Sequence, residues 1–437
     1  MPRHPLLVIM LLLASGLVRS VPAAEPDAKP DAESIAKATP KATPKATPKA
    51  TPKAGWPNWM GPHRDGISRE TGWKSTWPAD GLPVAWSRQI GIGFSSISIS
   101  QGRLLTMGHV DGEEIVWCLD SQTGKEIWTH RYPCELNDNL HEGGPGTTPT
   151  IDGDSVFTLG KTGQLYSLNL ETGKVQWEVL LQQDLKVGCP EWGFSSSPVI
   201  AGDQLILEAG RVVSYNKQTG KKNWQTEKHQ AGYGSAAIFP AGPAAKYAAT
   251  LDCEGLRITT LETGTEVAFQ PWPSPFRTNA TTPIIQGNQI FISSAYNVGC
   301  GLFEFDGKSL TQIYANRELR NHFSNSILFE GYLYGVDGNS NLGRVVQLTC
   351  LNFQTGDVAW KQRGLGCGSL MIADGKLLNL SENGNLVLAK ATPDGFEELA
   401  RSPFLTGRCW TIPVLFEKRV YGRNASGKLV CVDLPHE

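Results

Sequence analysis

Residues 148–177 read TPTIDGDSVFTLGKTGQLYSLNLETGKVQW, in which short apolar stretches are cut by polar, glycine-bearing turns. TPTI predicts a strand, and Asp152-Gly153 a tight turn. VFTLG predicts a second strand, Lys161-Thr162-Gly163 a second turn, and LYSLNLE a third, alternating strand. Thr172-Gly173-Lys174 then turns the chain into a fourth strand that begins VQW. Alternating runs bounded every 8–12 residues by Gly/Asp turns specify antiparallel all-β structure.

The last of these turns returns along the chain. TGKEIW (123–128), TGKVQW (172–177), TGKKNW (219–224) and TGDVAW (355–360) are close copies, with weaker ones at 263–269, 306–314 and 393–399. Their glycines are Gly124, Gly173, Gly220, Gly264, Gly307, Gly356 and Gly395, at intervals of 49, 47, 44, 43, 49 and 39 residues. A period of this size built from strands is the mark of a propeller.

The glycine of the first hairpin gives an independent count. It falls at Gly102, Gly153, Gly202, Gly242, Gly287, Gly331 and Gly375, with Glu417-Lys418-Arg419 as an eighth equivalent. Eight starts face seven TG-type turns, and the final unit (411–434) has only three strands. The segment PVAWS (83–87) supplies the missing one, with Trp86 where the motif tryptophan belongs. The expected fold is an all-β, eight-bladed β-propeller of four-stranded antiparallel blades, closed by an N-terminal strand that completes the last blade. Closure removes exposed sheet edges. Trp86, Trp128, Trp177, Trp224 and Trp360 are read as structural, their faces packed between blades. Blades four, five and seven lack the tryptophan and must pack differently.

The ends add context. Residues 1–23 carry Arg3, an apolar run Leu6–Leu13 and a small-residue site at Val21-Pro22-Ala23, which reads as a secretory signal peptide too short to span a membrane. Residues 24–54 contain four KATP units and read as an extended, solvated cationic spacer, with an electrostatic tether to an anionic surface as the alternative. Residues 55–82 form an extended segment, and 83–434 the propeller. The chain is expected to be exported to the periplasm or cell envelope, as a monomer, not membrane-spanning. A net charge of −2 despite the five lysines of the KATP tract (Lys37–Lys53) leaves the remainder acidic, without a footprint for nucleic acid. The nine cysteines show no CxxC and no adjacent pair, so no metal site is expected. Cys118, Cys350 and Cys431 lie in apolar strand-like runs as small buried hydrophobes.

CLDSQTGKEIW (118–128) and SLNLETGKVQW (167–177) match the repeat A-L-D-x-x-T-G-x-x-x-W. On these residues the chain, over roughly 83–434, resembles the pyrroloquinoline-quinone-type propeller repeat of quinoprotein alcohol dehydrogenases and of the outer-membrane assembly propeller BamB. WPNWMGPHRDGISRETGW (56–73), EWGFSSSP, NHFSNS and the ending CWTIPVLFEKRVYGRNASGKLVCVDL are similar to an exported subgroup labelled PQQ-binding-like. The resemblance implies an eight-bladed ring and no settled activity.

In a propeller, the loops leading into the innermost strands surround the axis on one face. Here they are GFSS (93–96), HEGGPGTT (141–148), EWGFSSS (191–197), GYGSA (232–236), RTNATT (277–282), NHFSNS (321–326), GCGS (366–369) and GRCWT (407–411). Small residues alternate with rare large ones, and loops on a rigid scaffold carry function. The candidates are His141 and Glu142; Glu191, Trp192 and Phe194; Tyr233; Arg277 and Asn279; His322 and Asn325; and Arg408 and Trp410. Their bland alternative is that crowding near the axis demands small residues and that the polar ones bond neighbouring backbone.

Two functions follow. The first is a non-catalytic scaffold presenting this face to a protein segment or polar ligand, with no cofactor and no catalytic residue. The second, implied by the resemblance, is a quinoprotein dehydrogenase holding pyrroloquinoline quinone with calcium. Trp192 or Trp410, Glu191 or Glu142, Asn279, and Arg277 or Arg408 would supply some of that family's groups. The adjacent cysteine pair, an Asp in these eight loops and a CxxCH haem motif are absent. Nor does the chain carry GxSxG, HExxH or a P-loop.

Overall fold

The computed structural model describes residues 55–240, 246–340 and 345–436. The expected signal peptide, linker and the hairpin at Gly242 lie outside the described residues. Eight four-stranded antiparallel blades follow one another along the chain, one of their sheets gaining a fifth, parallel strand (Ile67–Ser68), and a five-residue α-helix (Leu181–Leu185) and a 3-10 turn (Pro275–Arg277) stand among the described residues. No helix among them is long and apolar enough to cross a membrane.

Blade two shows how the residues make the sheet. Its strands are Thr150–Asp152, Ser155–Leu159, Gln164–Asn169 and Val175–Leu180, running from the axis outward. A row across it pairs Thr150 with Phe157, Phe157 with Ser167, and Ser167 with Trp177. The two middle strands are buried on both faces, so they read as continuous apolar runs, whereas the outer strand alternates. In each of the eight sheets the outer two strands slip register by one residue. Such a bulge adds the twist that a blade requires.

The TG phrase acts on both sides of a blade boundary. In blade two Asn169 Oδ1 accepts from Thr172 N and Thr172 Oγ1, each at 2.9 Å, and Gly173 turns with φ 69°. A Cβ on Gly173 would come within 2.6 Å of the Trp128 ring from the preceding blade. Each motif indole also donates across the boundary: Trp86 to Ser121 O, Trp128 to Leu170 O, Trp177 to Lys217 O, Trp224 to Leu261 O and Trp360 to Thr392 O, at 2.8–3.2 Å. Blade five uses Tyr314, whose hydroxyl donates to Phe353 O at 3.0 Å. Blade four has Ala268 instead, and Gly307 of the next blade accordingly has no neighbour within 4 Å of its would-be Cβ.

The ring closes as expected. Val84–Gln89 pairs antiparallel with Lys428–Asp433, placing Trp86 opposite Cys431. Glu417 and Lys418 make the eighth hairpin turn in left-handed backbone, their N–H groups donating to the Glu70 carboxylate. All nine cysteines are unbridged. Burial pushes the thiols of Cys118 and Cys431 up to about 12 and that of Cys350 to about 11, as for small core residues.

The segment before the closing strand does more than extend. Trp56 exchanges both backbone bonds with Ile99 of the blade-one inner strand, at 2.8 Å. Ile151 N of blade two donates to Pro57 O, and Arg64 Nη2 to Ile200 O of blade three. Gly66 lies against Ile327 of blade six, and Ile67–Ser68 pairs in parallel with Ile372–Ala373 of blade seven. Residues 56–68 thus touch the inner edges of five blades, and they plug the axis.

Candidate functional site

Seven of the eight loops from an outer strand to the next inner strand line an axial cavity of about 210 Å³, the exception being the loop at 364–368. Its floor includes Trp59 of the plug, which also lines a second cavity of about 450 Å³ toward the hairpin turns.

Rings dominate the upper cavity. Trp410 stacks on Phe94 with centroids 5.2 Å apart and 24° between planes, and meets Phe323 at 4.3 Å. His141 stands edge-on to Phe94 at 5.3 Å. His322 packs on Phe323, and its Nε2 lies 3.1 Å from the Tyr296 hydroxyl. Across the axis, Trp192 and Tyr233 contact each other at 5.7 Å. The two imidazoles are held neutral near pH 7: burial pulls His322 down to about 4, and burial with Lys161 and Arg408 nearby pulls His141 down to about 4. The Trp410 indole donates to Glu382 Oε1 at 3.0 Å, and the other Glu382 oxygen accepts from Cys367 N. Arg408 lies over the Trp410 ring at 4.5 Å and pairs with Glu142 at 2.9 Å.

Of the twelve candidates, His141, Trp192, Tyr233, His322 and Trp410 line this cavity, and Glu142 and Arg408 pair beside it. Glu191 is exposed, with Oε1 accepting from Asn139 Nδ2. Arg277 is exposed and donates to Gln230. Phe194 packs in the core between blades two and three. The Asn279 amide donates to Asp252 O and Trp272 O and accepts from Ser294, and Asn325 exchanges two bonds with the Thr282 backbone. These two amides are committed to joining loops.

Sequence reasoning passed over Trp59, Phe94, Lys161, Tyr296, Phe323 and Glu382. Phe94 and Phe323 stood in loops already marked. Lys161, Tyr296 and Glu382 come from the turns between second and third strands, which reach the same face. Those turns were legible at Lys161-Thr162-Gly163 but were not assigned to the axis. Among the described residues no three His, Cys, Asp or Glu side chains group to hold a metal ion.

The family model described as outer membrane protein assembly factor BamB matches residues 68–238 and 112–362. Outer membrane protein assembly factor BamB of Shewanella oneidensis is 26% identical over 173 residues, 36% of this chain and 42% of that protein. An uncharacterized protein of Rickettsia prowazekii is 27% identical over 24% of this chain and 26% of its own length. The chain thus spans less than half the length of either relative. Among solved structures, BamB from Moraxella catarrhalis superposes with TM-score 0.59 at 15% identity, covering 82% of this chain and 98% of that one. Quinohemoprotein alcohol dehydrogenase from Comamonas testosteroni superposes with TM-score 0.65 at 12% identity, covering 88% and 81%. At these identities the superpositions show the fold alone.

Proposed function

Because the chain belongs to the family of the outer membrane protein assembly factor BamB, we propose that it is a non-catalytic binding scaffold of the cell envelope whose axial face receives a segment of another protein. One observation carries this reading. Leu140 and Phe276 are each 68% exposed beside the ring-lined cavity, and both sit in left-handed backbone, at φ 65° and 66°. Leu140 lines the cavity, and Phe276 meets its lining residue Tyr296 edge-on at 5.1 Å. A left-handed non-glycine residue costs about 1–2 kcal/mol, and strain of this kind concentrates at clamps and docking sites. Apolar side chains held out toward solvent around an aromatic pocket suit a partner that covers them. The Lys/Pro spacer, outside the described residues, would tether the propeller to an anionic surface.

A quinone with calcium fits these residues poorly. Trp410 already has Phe94, Phe323 and Arg408 as neighbours, and Glu142 and Glu382 are committed to Arg408 and to the Trp410 and Cys367 N–H groups. Asn279, the other calcium-ligand candidate, is spent on joining neighbouring loops, its oxygen accepting from Ser294.

Photo-cross-linking tests the scaffold reading. A photoreactive residue at position 140 or 276 is expected to capture the same envelope protein, and one at Val175 on an outer strand is not. Equal capture at all three positions, or none at 140 and 276, overturns it.

A further inference from the structure

Lys161 is the feature of the cavity that neither the repeat nor the resemblance accounts for. It is 3% exposed, yet it lines the ring-walled space. Its stem is clamped: a Cβ on Gly193, which turns at φ 77°, would overlap Lys161 Cγ, so only glycine there leaves the side chain room. Its ammonium donates to Gly144 O at 3.2 Å and Asn137 O at 3.3 Å, two neutral acceptors at the long end of hydrogen bonding. Among the described residues it forms no ion pair with a carboxylate.

The nearest acid does not complete it. Glu114 spends both oxygens on the Lys161 backbone N–H and one of them on the Tyr132 hydroxyl. It offsets the buried charge at a distance only. An ammonium has three donors, and the two carbonyls use two. A buried ion without a bonded counter-ion is costly, and a charge-assisted bond to a carboxylate is roughly twice as strong as a neutral one. The neighbouring imidazoles, both neutral, do not compete for an anion. Burial also lowers the lysine's own proton affinity, which a bound carboxylate would restore.

We infer that Lys161 is the anion-accepting residue of the axial cavity, and that the entering protein segment places a carboxylate against it with an aromatic side chain on the open side of the packed wall of Trp410, Phe94 and Phe323. The inference rests on the docking reading above and specifies the chemistry of the segment. The carboxylate comes from an Asp or Glu side chain or from a chain terminus, and short probes separate these sources.

The experiment is calorimetric titration of the mature chain with four probes: N-acetylphenylalanine and its amide, and N-acetyl-Phe-Asp-amide and its Asn counterpart. At least one acid is expected to bind tenfold or more tightly than its matched neutral probe; which pair shows it names the source. In Lys161→Met the preference disappears while the neutral probes bind as before, and Lys161→Arg retains it. A melting curve for each variant confirms folding. Equal binding of acid and neutral probes to the natural chain overturns the inference, as does a preference that survives in Lys161→Met. Absence of binding by all four overturns it too, and leaves the docking reading to cross-linking at 140 and 276.

Discussion

Gly173 lies beneath the indole of Trp128, and two separate demands meet in it. Its φ of 69° excludes most side chains, and a Cβ would stand 2.6 Å from the ring. Gly202 has the same backbone, φ 64°, with nothing within 4 Å. Gly202→Ala should therefore cost the left-handed strain alone, about 1–2 kcal/mol. Gly173→Ala should add the overpacking of a blade boundary, about 1–3 kcal/mol more. Urea denaturation of both variants reads the difference directly; equal losses would mean that the indole yields without cost. A second residue-scale effect concerns pH. His322 has a folded pKa near 4 against about 6.5 in the unfolded chain, because burial disfavours its charged form and its Nδ1 is buried without a bonding partner. As pH falls below 6.5 the unfolded state takes up the proton first, so stability declines until the pH approaches 4. His322→Gln should lose less stability than the natural chain between pH 7.5 and 5.0, measured by denaturant midpoints at both values. An identical loss would place the titration elsewhere.

Among the elements, the plug and the closing strand differ in what they secure. Residues 55–82 bury Trp56, Met60, Trp73, Trp77 and Leu82 but supply no strand of a blade's own four. Residues 84–89 supply the outer strand of blade eight. A chain starting at residue 83 should fold as a ring with a lowered denaturation midpoint and bind an apolar dye at its unplugged axis. A chain starting at 91 should aggregate, because it exposes the edge of Lys428–Asp433. If both behave alike, the plug and not the strand closes the ring. The blades were legible because each has two middle strands buried on both faces and most place glycine where the turn needs left-handed backbone, the eighth hairpin using Glu417 and Lys418 instead. The plug was not. WPNWMGPHRDGIS has neither a period of two nor a repeat, since its partners are backbone edges on five blades that meet only after folding. The cavity was half legible for a similar reason. Trp410, His141, His322, Trp192 and Tyr233 lay in loops that the count pointed to, whereas Lys161, Tyr296 and Glu382 reach the same face from another class of turn. Asn279 and Asn325 looked like ligand groups because a loop amide bonded to its neighbour's backbone has the same sequence as a free one.

At the scale of the whole molecule, the ring is a frame that leaves chemistry to its axial loops, and a frame of this kind supports unrelated functions. The choice between a scaffold and a quinone enzyme therefore depends on groups that are still available to a ligand. At the upper cavity the rings are packed on one another, the nearby acids serve protein donors, and Lys161 is a buried cation that bonds only two neutral carbonyls. Calcium requires six to eight oxygen ligands, and the carboxylates beside this cavity already serve protein donors. Titrating the chain without residues 1–54 with pyrroloquinoline quinone and Ca²⁺ is therefore expected to give no saturable heat up to millimolar ligand. Saturable heat that vanishes in Trp192→Ala or Glu191→Ala would reverse the choice, because both side chains would then have left their present partners to hold the quinone. Saturable heat that persists in those variants but vanishes in Lys161→Met would mean that the quinone's carboxylates use the cavity's cation without calcium, as the anions of a docking segment would.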